Sequence, residues 1–433
     1  MPLGKEEARR FVQRLFAVRT SEQIQKQLAV DESALPQRIQ NQARTDADAL
    51  ARRWQRLPTP QVREVLVPSQ PEALQVYERH IENLIGELRM PIGVAGPLRV
   101  NGLFAKGDFF VPMATTEAAL VASYNRGCST ISEAGGSTAV LLAEGVTRTP
   151  CFVFARVAEA GKFAVWVTEQ EEPLRAVAAT TTHHGRLEDI RFTLEGNHLY
   201  LHLLFHTGDA AGQNMVTLAT QKICEHLAAQ APVKPVQMYV ESNMSGDKKA
   251  SMQSFLGVRG KLVTAEVLVP GKLVAARLRT TARAMVDYWR VSALGGVLSG
   301  TVGVQGHYAN GIAALFLATG QDVACVSEAS VGVTRMEETA AGELYAAVTM
   351  PNLIVGTVGG GTSLPTQAAC LELMGLAGSG KSAALAEVCA ALCLAGELSI
   401  IAALSAGHFA AAHDKLARGA KPDAGGAVAH EQP

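Results

Sequence analysis

Residues 383–407 read AALAEVCAALCLAGELSIIAALSAG, a run long and apolar enough to cross a bilayer. A segment like this has two homes, a membrane or the centre of a large core. Glu387 and Glu397 interrupt it well inside its ends, where a carboxylate in hydrocarbon is costly. The run is therefore expected as one buried helix that the rest of the chain wraps. Cys389 and Cys393, four apart, read as two thiols on one apolar stripe of that helix. A chain of 433 residues has enough surface to enclose such a helix, in two or three domains. Only 18% of its residues are charged, which points to tight packing with some surface covered by another subunit.

The net charge of −1 supplies no general field for nucleic acid or an anionic membrane, so an acidic ligand needs a local basic site. Seven cysteines without a CxxC pair, behind a start that lacks a signal-peptide pattern, fit a reducing cytosol and a cytoplasmic protein. No metal is expected.

The texture along the chain changes four times. Residues 1–62 are charged and helical in pattern, and the prolines of LPTPQVREVLVP end that segment. From 63 to 149 glycine- and proline-punctuated strands lead to a helix expected from Glu117, capped by Thr115 or Thr116. Residues 150–241 read as a compact insertion: strands in PCFVFARVA and KFAVWVTEQ, a helix in EEPLRAVAATTT, and a hairpin turning at Glu195–Asn197. A helix in GQNMVTLATQKICEHLAAQ and a strand in VKPVQMYVES complete it. The expected fold is α+β: a helical N-terminal segment, a large mixed α/β domain (63–149 with 242–418), and a small ferredoxin-like domain inserted in it. Residues 419–433 are of low complexity and read as a flexible tail.

GLAGSGKS, Gly375 to Ser382, matches the phosphate-binding G-x-x-x-x-G-K-[ST] pattern and offers the alternative of a P-loop NTP-binding protein, with Lys381 on the phosphates. That loop works between a buried strand and a helix. Here the preceding PTQAACLELMG has helical spacing, so a loop between two helices is expected.

Four stretches each place one ionisable residue in small, apolar or glycine-rich company: Glu117 in MATTEAAL, Lys248 in SGDKKAS, Asp322 in LATGQDVA and His413 in SAGHFAAAHDK. Singly, each is an ordinary surface or capping residue. Two glycine-rich turns, GDAAGQNM and GTVGGGTSLPTQ, suit close approach of backbone to a phosphorylated ligand, and Asp209 in the first reads as a cap for the following helix. In order and spacing, these stretches together with ENLIG, PIGVAGPL and the NRGC run resemble the 3-hydroxy-3-methylglutaryl-CoA (HMG-CoA) reductase family, across residues 65 to 418. The Asp-Lys-Lys context and the three-glycine turn are similar to its class I branch.

The resemblance implies a four-electron reduction of HMG-CoA to mevalonate and CoA by two nicotinamide hydrides. Lys248 matches the ammonium that stabilises the oxygen of the reduced thioester. Glu117 matches the acid for the aldehyde step, Asp322 the carboxylate that ties Glu117 and Lys248 together, and His413 the donor that protonates the CoA thiolate; His408 is read as structural. Ser123, Asn125 and Arg126 match the CoA-contacting run. Arg148, Asp247, Lys249, Arg290 and Asn310 match positions that hold the hydroxymethylglutaryl group. Asp209, Gly212, Asn214 and Met215 match dinucleotide contacts, and Gly359, Gly360 and Gly361 the turn beside the nicotinamide half. The family also implies at least a homodimer, with Glu82–Gly86 in its contact and active sites shared between subunits.

Three departures stand out. Where NADPH-using relatives carry a serine–arginine pair for the 2′-phosphate, this chain has Thr182, His183 and His184, with Arg186 two further on. NADPH remains the expected cofactor, with NADH the alternative, because a potentially basic cluster suits a phosphate better than a ribose hydroxyl. ESNM replaces the serine-glycine-asparagine run before GDKKA. Arg418 is followed by Gly419, so the phosphorylation switch of eukaryotic relatives is expected to be absent, as is their membrane anchor.

Overall fold

The computed structural model describes residues 4–29, 45–68, 71–78, 80–182 and 184–407, and the chain divides at residue 88 into two compact units. The first holds α1 (Lys5–Val18), α2 (Ser21–Leu28), α3 (Ala47–Trp54) and the one-turn α4 (Arg63–Leu66). Thr20 and Gln23 close a reciprocal capping box on α2, and the Asp46 carboxylate accepts the Ala49 amide to start α3. Leu50 and Trp54 of α3 are buried with Leu74 and Leu84, and Trp54 Nε1 donates to the Ile85 carbonyl at 2.9 Å. Residues 63–88 therefore pack with the helical segment, which the sequence ended at residue 62.

The second unit is built on one sheet of 11 strands. It opens with β1 (Ile92–Gly102) and β2 (Lys106–Ala114), α5 (Leu120–Glu133) and the long β3 (Ser137–Arg148). Then follow β4 (Cys151–Val153), α6 (Val157–Thr168), α7 (Glu171–Ala179), β5 (Arg186–Glu195), β6 (His198–His206), α8 (Gln213–Gln230) and β7 (Gln237–Tyr239). The chain returns through α9 (Gln253–Leu256), β8 (Gly260–Val269), α10 (Gly271–Leu273), α11 (Ala282–Ser299), β9 (Gly303–Val304), α12 (Tyr308–Thr319) and α13 (Val326–Ala329). It ends with β10 (Gly332–Glu338), β11 (Leu344–Leu353), α14 (Pro365–Leu373) and α15 (Ser382–Ser405).

β3 joins two regions of the sheet. Residues Thr138 to Gly145 pair antiparallel with β8, and Val146 to Arg148 pair with β6. Beyond β6, the four strands of the 150–241 stretch run β7-β4-β6-β5, all antiparallel, the strand order of a ferredoxin-like sheet. One expected strand is a helix: KFAVWVTEQ lies in α6 and in the turn after it. The alternation of Phe163, Val165 and Val167 suggested a strand, yet Ala160, Phe163 and Val167 are buried at helical spacing while Val165 is exposed. Phe163 packs 5.0 Å from both Phe152 and Phe154, so this helix face covers the small sheet.

The apolar run is α15, buried along nearly all its length. Its two carboxylates are wholly buried and satisfied by main-chain N–H groups, as buried charge requires. Glu387 accepts from Phe104 (2.9 Å) and Ala105 (2.7 Å) at the β1–β2 turn. Glu397 accepts from Gly306 and His307, each at 2.8 Å, and from Thr334 Oγ1. A side chain at Gly127 of α5 would collide with the Ala395 carbonyl, so α5 and α15 touch backbone to backbone.

Candidate active site

Most of the described residues singled out in the sequence gather in three places. The first is a cavity of about 370 Å³ where α5, the start of α12 and the end of α15 meet. It is lined by Glu117, Ser123, Arg126, His307 and Asn310, among others. Glu117 is not in the first turn of a helix, as expected; α5 begins at Leu120, after Ala119 in a left-handed turn. The reason is local: Thr115 Oγ1 accepts the Glu117 amide at 3.0 Å, two residues on, and so does not cap a helix there. Glu117 Oε2 accepts from Asn310 Nδ2 at 2.8 Å.

Deeper in, Ser123 Oγ lies 2.8 Å from Ser399 Oγ, and the Arg126 guanidinium grips the Ser399 carbonyl at 2.7 Å. Burial, helped by nearby Arg279, lowers the Arg126 pKa. Asn125 turns away, its Oδ1 accepting the Gly96 amide at 2.9 Å. Arg290 is exposed on α11 and pairs with Asp287 at 3.3 Å.

The second group lies past the other end of α12. Lys248 Nζ is 2.9 Å from Asp322 Oδ2, and the other Asp322 oxygen accepts the Ala324 amide at 3.0 Å. The hydrogen bond to Asp322 raises the Lys248 pKa despite partial burial, so this amine is held as ammonium. Both oxygens of Asp247 have arginine partners: Arg148 at 2.9 Å and, in closer contact, Arg259. Burial would raise the Asp247 pKa, but the two guanidiniums outweigh it and hold it low. Arg148 also pairs with Glu241 at 3.1 Å, and Lys249 Nζ donates to the Asp247 carbonyl.

Within one chain Asp322 therefore meets Lys248 and not Glu117. Residues 310 to 319 of α12 alone put roughly 14 Å of helix rise between Asn310 and the Asp322 end.

The third group surrounds the start of α8. Asp209 does not cap that helix. Gly212, at φ +77°, stands at its start without any side-chain cap. Asp209 instead accepts the amides of Gly380 (2.7 Å) and Ser382 (3.1 Å), closing the start of α15. Burial works against the carboxylate there, but these N–H groups pull its pKa below the ordinary value. GLAGSGKS is thus an interhelical loop with two of its amides already holding a side-chain anion.

The Asp209 carbonyl accepts from Thr357, which brings the Gly359–Gly361 turn close to this motif. Gly361 packs against the backbone of Gly320, just before Asp322. Met215 Sδ accepts from Thr182 Oγ1 at 3.0 Å, beside His184, while Asn214 is exposed. Arg186 pairs with Glu188 at 2.8 Å. His183, His408 and His413 lie outside the described residues.

Several residues of these groups went unnoticed in the sequence. Arg259, Gln213 and Glu328 tie the Lys248 segment to the start of α8. Gln321 bonds both the amide and the carbonyl of Gly356. Glu397, visible in the sequence only as an interruption of the apolar run, holds the His307 turn. Glu328 did carry a signal, a lone charge in the apolar stretch VACVSEASV, and Arg259 a weaker one, sharing FLGVRGKLV with Lys261.

The profile of the family Hydroxymethylglutaryl-coenzyme A reductase matches residues 49–418. The chain is 44% identical over 346 residues to the 3-hydroxy-3-methylglutaryl-coenzyme A reductase of Methanocaldococcus jannaschii, covering 79% of this chain and 85% of that one. With the reductase of the same name from Haloferax volcanii it shares 40% over 394 residues, 87% of this chain and 95% of the relative. Among solved structures, the class II reductase of Streptococcus pneumoniae bound to NADPH superposes with a TM-score of 0.63 at 19% identity, over 83% of this chain and 99% of that one. At that identity the likeness speaks for the fold.

Proposed function

This chain belongs to the hydroxymethylglutaryl-coenzyme A reductase family and reduces HMG-CoA to mevalonate and CoA, and we propose that two copies supply each active site. The observation that carries the shared site is the separation of Glu117–Asn310 from Lys248–Asp322 by the length of α12. In a symmetric dimer, the Glu117 end of one copy meets the Lys248 end of its partner, so both shared sites are completed by one twofold axis.

Two reduced nicotinamide dinucleotides, bound in succession, would supply one hydride each. The residues present fit such a group: among the described residues no side chain caps the N-terminus of α8, whose amides suit a diphosphate, and none comes within 4 Å of where a Cβ on Gly359 would stand. Gly212, Asn214, Met215 and the glycine turn would hold it, as a small domain of residues 150–241 on the large one. Asp209 acts at one remove, by fixing the loop before α15.

Addition of hydride to the thioester carbonyl places negative charge on oxygen. The Lys248 ammonium, kept charged by Asp322, stabilises that oxygen more than it does the neutral carbonyl. Asp247, neutralised by Arg148 and Arg259, keeps the loop rigid. When the hemithioacetal collapses, His413 protonates the departing CoA thiolate. As the aldehyde carbon accepts the second hydride, its oxygen takes a proton from Glu117, oriented by Asn310. Ser123 and Arg126 line the cavity for CoA, and Arg290, exposed on α11, would have to leave Asp287 to grip the terminal carboxylate.

We assign the chain to the class I type from its Asp247-Lys248-Lys249 run and three-glycine turn, place it in the cytoplasm, and take NADPH as its reductant. The reading is tested by following nicotinamide absorbance with HMG-CoA for the wild type and Lys248→Ala. Essentially all turnover should be lost with little change in KM; unchanged turnover would remove Lys248 from the mechanism.

A further inference from the structure

Two carboxylates from one short segment grip Lys248 at two different points. Asp322, which begins the turn leading into α13, takes its ammonium at 2.9 Å. Glu328, on α13 itself, takes its main-chain N–H. The second contact matters because Lys248 has φ +57°, in the left-handed region that side-chain-bearing residues avoid. A residue in that conformation needs an outside restraint, and from it the side chain reaches Asp322.

Glu328 is wholly buried, and so is Arg259, at 1% exposure. Glu328 Oε1 and Arg259 Nε, both without a hydrogen-bond partner among the described residues, face each other at 3.8 Å. Arg259 Nη2 holds the Asp247 carboxylate and, at 2.7 Å, Gln213 Oε1 at the first turn of α8. One buried guanidinium thus touches the residue before Lys248, the acid that holds Lys248, and the helix that opens the dinucleotide motif.

We infer that Glu328 and Arg259 are positioning residues: Glu328 fixes the main chain of Lys248 in its left-handed conformation and Arg259 fixes Asp247 beside it, so that the ammonium points at the reacting oxygen. Neither touches substrate. The inference rests on the reading of Lys248 as the group that meets that oxygen, but the restraint itself is measurable without turnover.

The first measurement is amide hydrogen exchange in the wild-type protein, resolved to single residues. Although its side chain is half exposed, the Lys248 N–H should exchange at least ~100-fold more slowly than in an unstructured peptide; exchange at the free rate overturns the inference. The second compares Glu328→Gln, which keeps an oxygen for the amide, with Glu328→Leu, which does not. The leucine variant should lose roughly 30-fold or more in kcat with HMG-CoA KM nearly unchanged, together with the Lys248 amide protection, and the glutamine variant should regain most of both. Equal kcat in wild type and leucine variant, or a loss confined to KM, overturns it. Should the leucine variant not fold, amide exchange in the wild type and in Glu328→Gln decides: protection in both supports the restraint and free exchange in either refutes it. If Lys248→Ala keeps its turnover while the wild-type amide stays protected, the catalytic reading fails and the restraint stands.

Discussion

Asn310 and Asp322 stand at opposite ends of α12, the first bonded to Glu117 at 2.8 Å and the second to Lys248 at 2.9 Å. The helix between them is packed against α5, α15 and β2, so it acts as a rigid spacer. No rearrangement of side chains alone can bring an acid at one end to an ammonium at the other.

That spacing makes an intersubunit experiment decisive. Lys248→Ala and Glu117→Gln chains should each be inactive alone. Coexpressed, they should recover about one quarter of wild-type activity, because half of randomly paired dimers are mixed and one of the two sites in each has intact residues. Absence of recovery, with mixed dimers demonstrated by mass spectrometry, would place each site within one chain.

Asp209 contributes to stability in a pH-dependent way. Its pKa is lowered in the folded protein, so its contribution is fully present above the unfolded value of about 3.8 and is lost as pH falls through the folded one. Asp209→Asn should destabilise by about 1–2 kcal/mol at neutral pH, the size of a lost helix cap, with the difference shrinking in acid. Denaturant titrations of both proteins at neutral and acid pH measure this.

The loop from Gly375 to Ser382 should not bind nucleotide triphosphate. Lys381→Ala should leave folding within about 0.5 kcal/mol and reductase turnover unchanged, as for an ordinary surface substitution. Equilibrium binding of ATP with magnesium, tight in wild type and abolished in the variant, would reverse this.

The proposed preference for NADPH requires Arg186 to leave Glu188, its partner at 2.8 Å. The ratio of kcat/KM should favour NADPH over NADH, and Glu188→Gln should raise it several-fold by freeing the guanidinium for a phosphate. A tenfold preference for NADH in the wild type would overturn the assignment.

Motifs that work through local sequence were legible before the fold. The buried α15 and the hairpin at Glu195–Asn197 follow from short patterns, whereas the link of Asp322 to Lys248 was implied by the family resemblance, which tied Asp322 to Glu117 as well. The α6 helix was misread because Phe163, Val165 and Val167 satisfy a two-residue period, and only packing against Phe152 and Phe154 selects the helical one. Asp209 was misassigned for a similar reason. A carboxylate one turn before a helix suggests a cap, whereas the amides it accepts belong to residues more than 170 positions away. Arg259 and Glu328 were missed because their importance lies in whom they touch, and a single sequence does not display long-range partners.

α15 follows every strand of the sheet in chain order, yet Glu387 closes the turn between the first two and Glu397 steadies the entry to α12. During synthesis, the early strands must therefore wait, with their apolar faces uncovered, until the last helix has left the ribosome. A chain stopped at residue 381 would lack the helix that packs on β1, β3, β8 and β11, so nascent forms of this enzyme should be long-lived clients of chaperones.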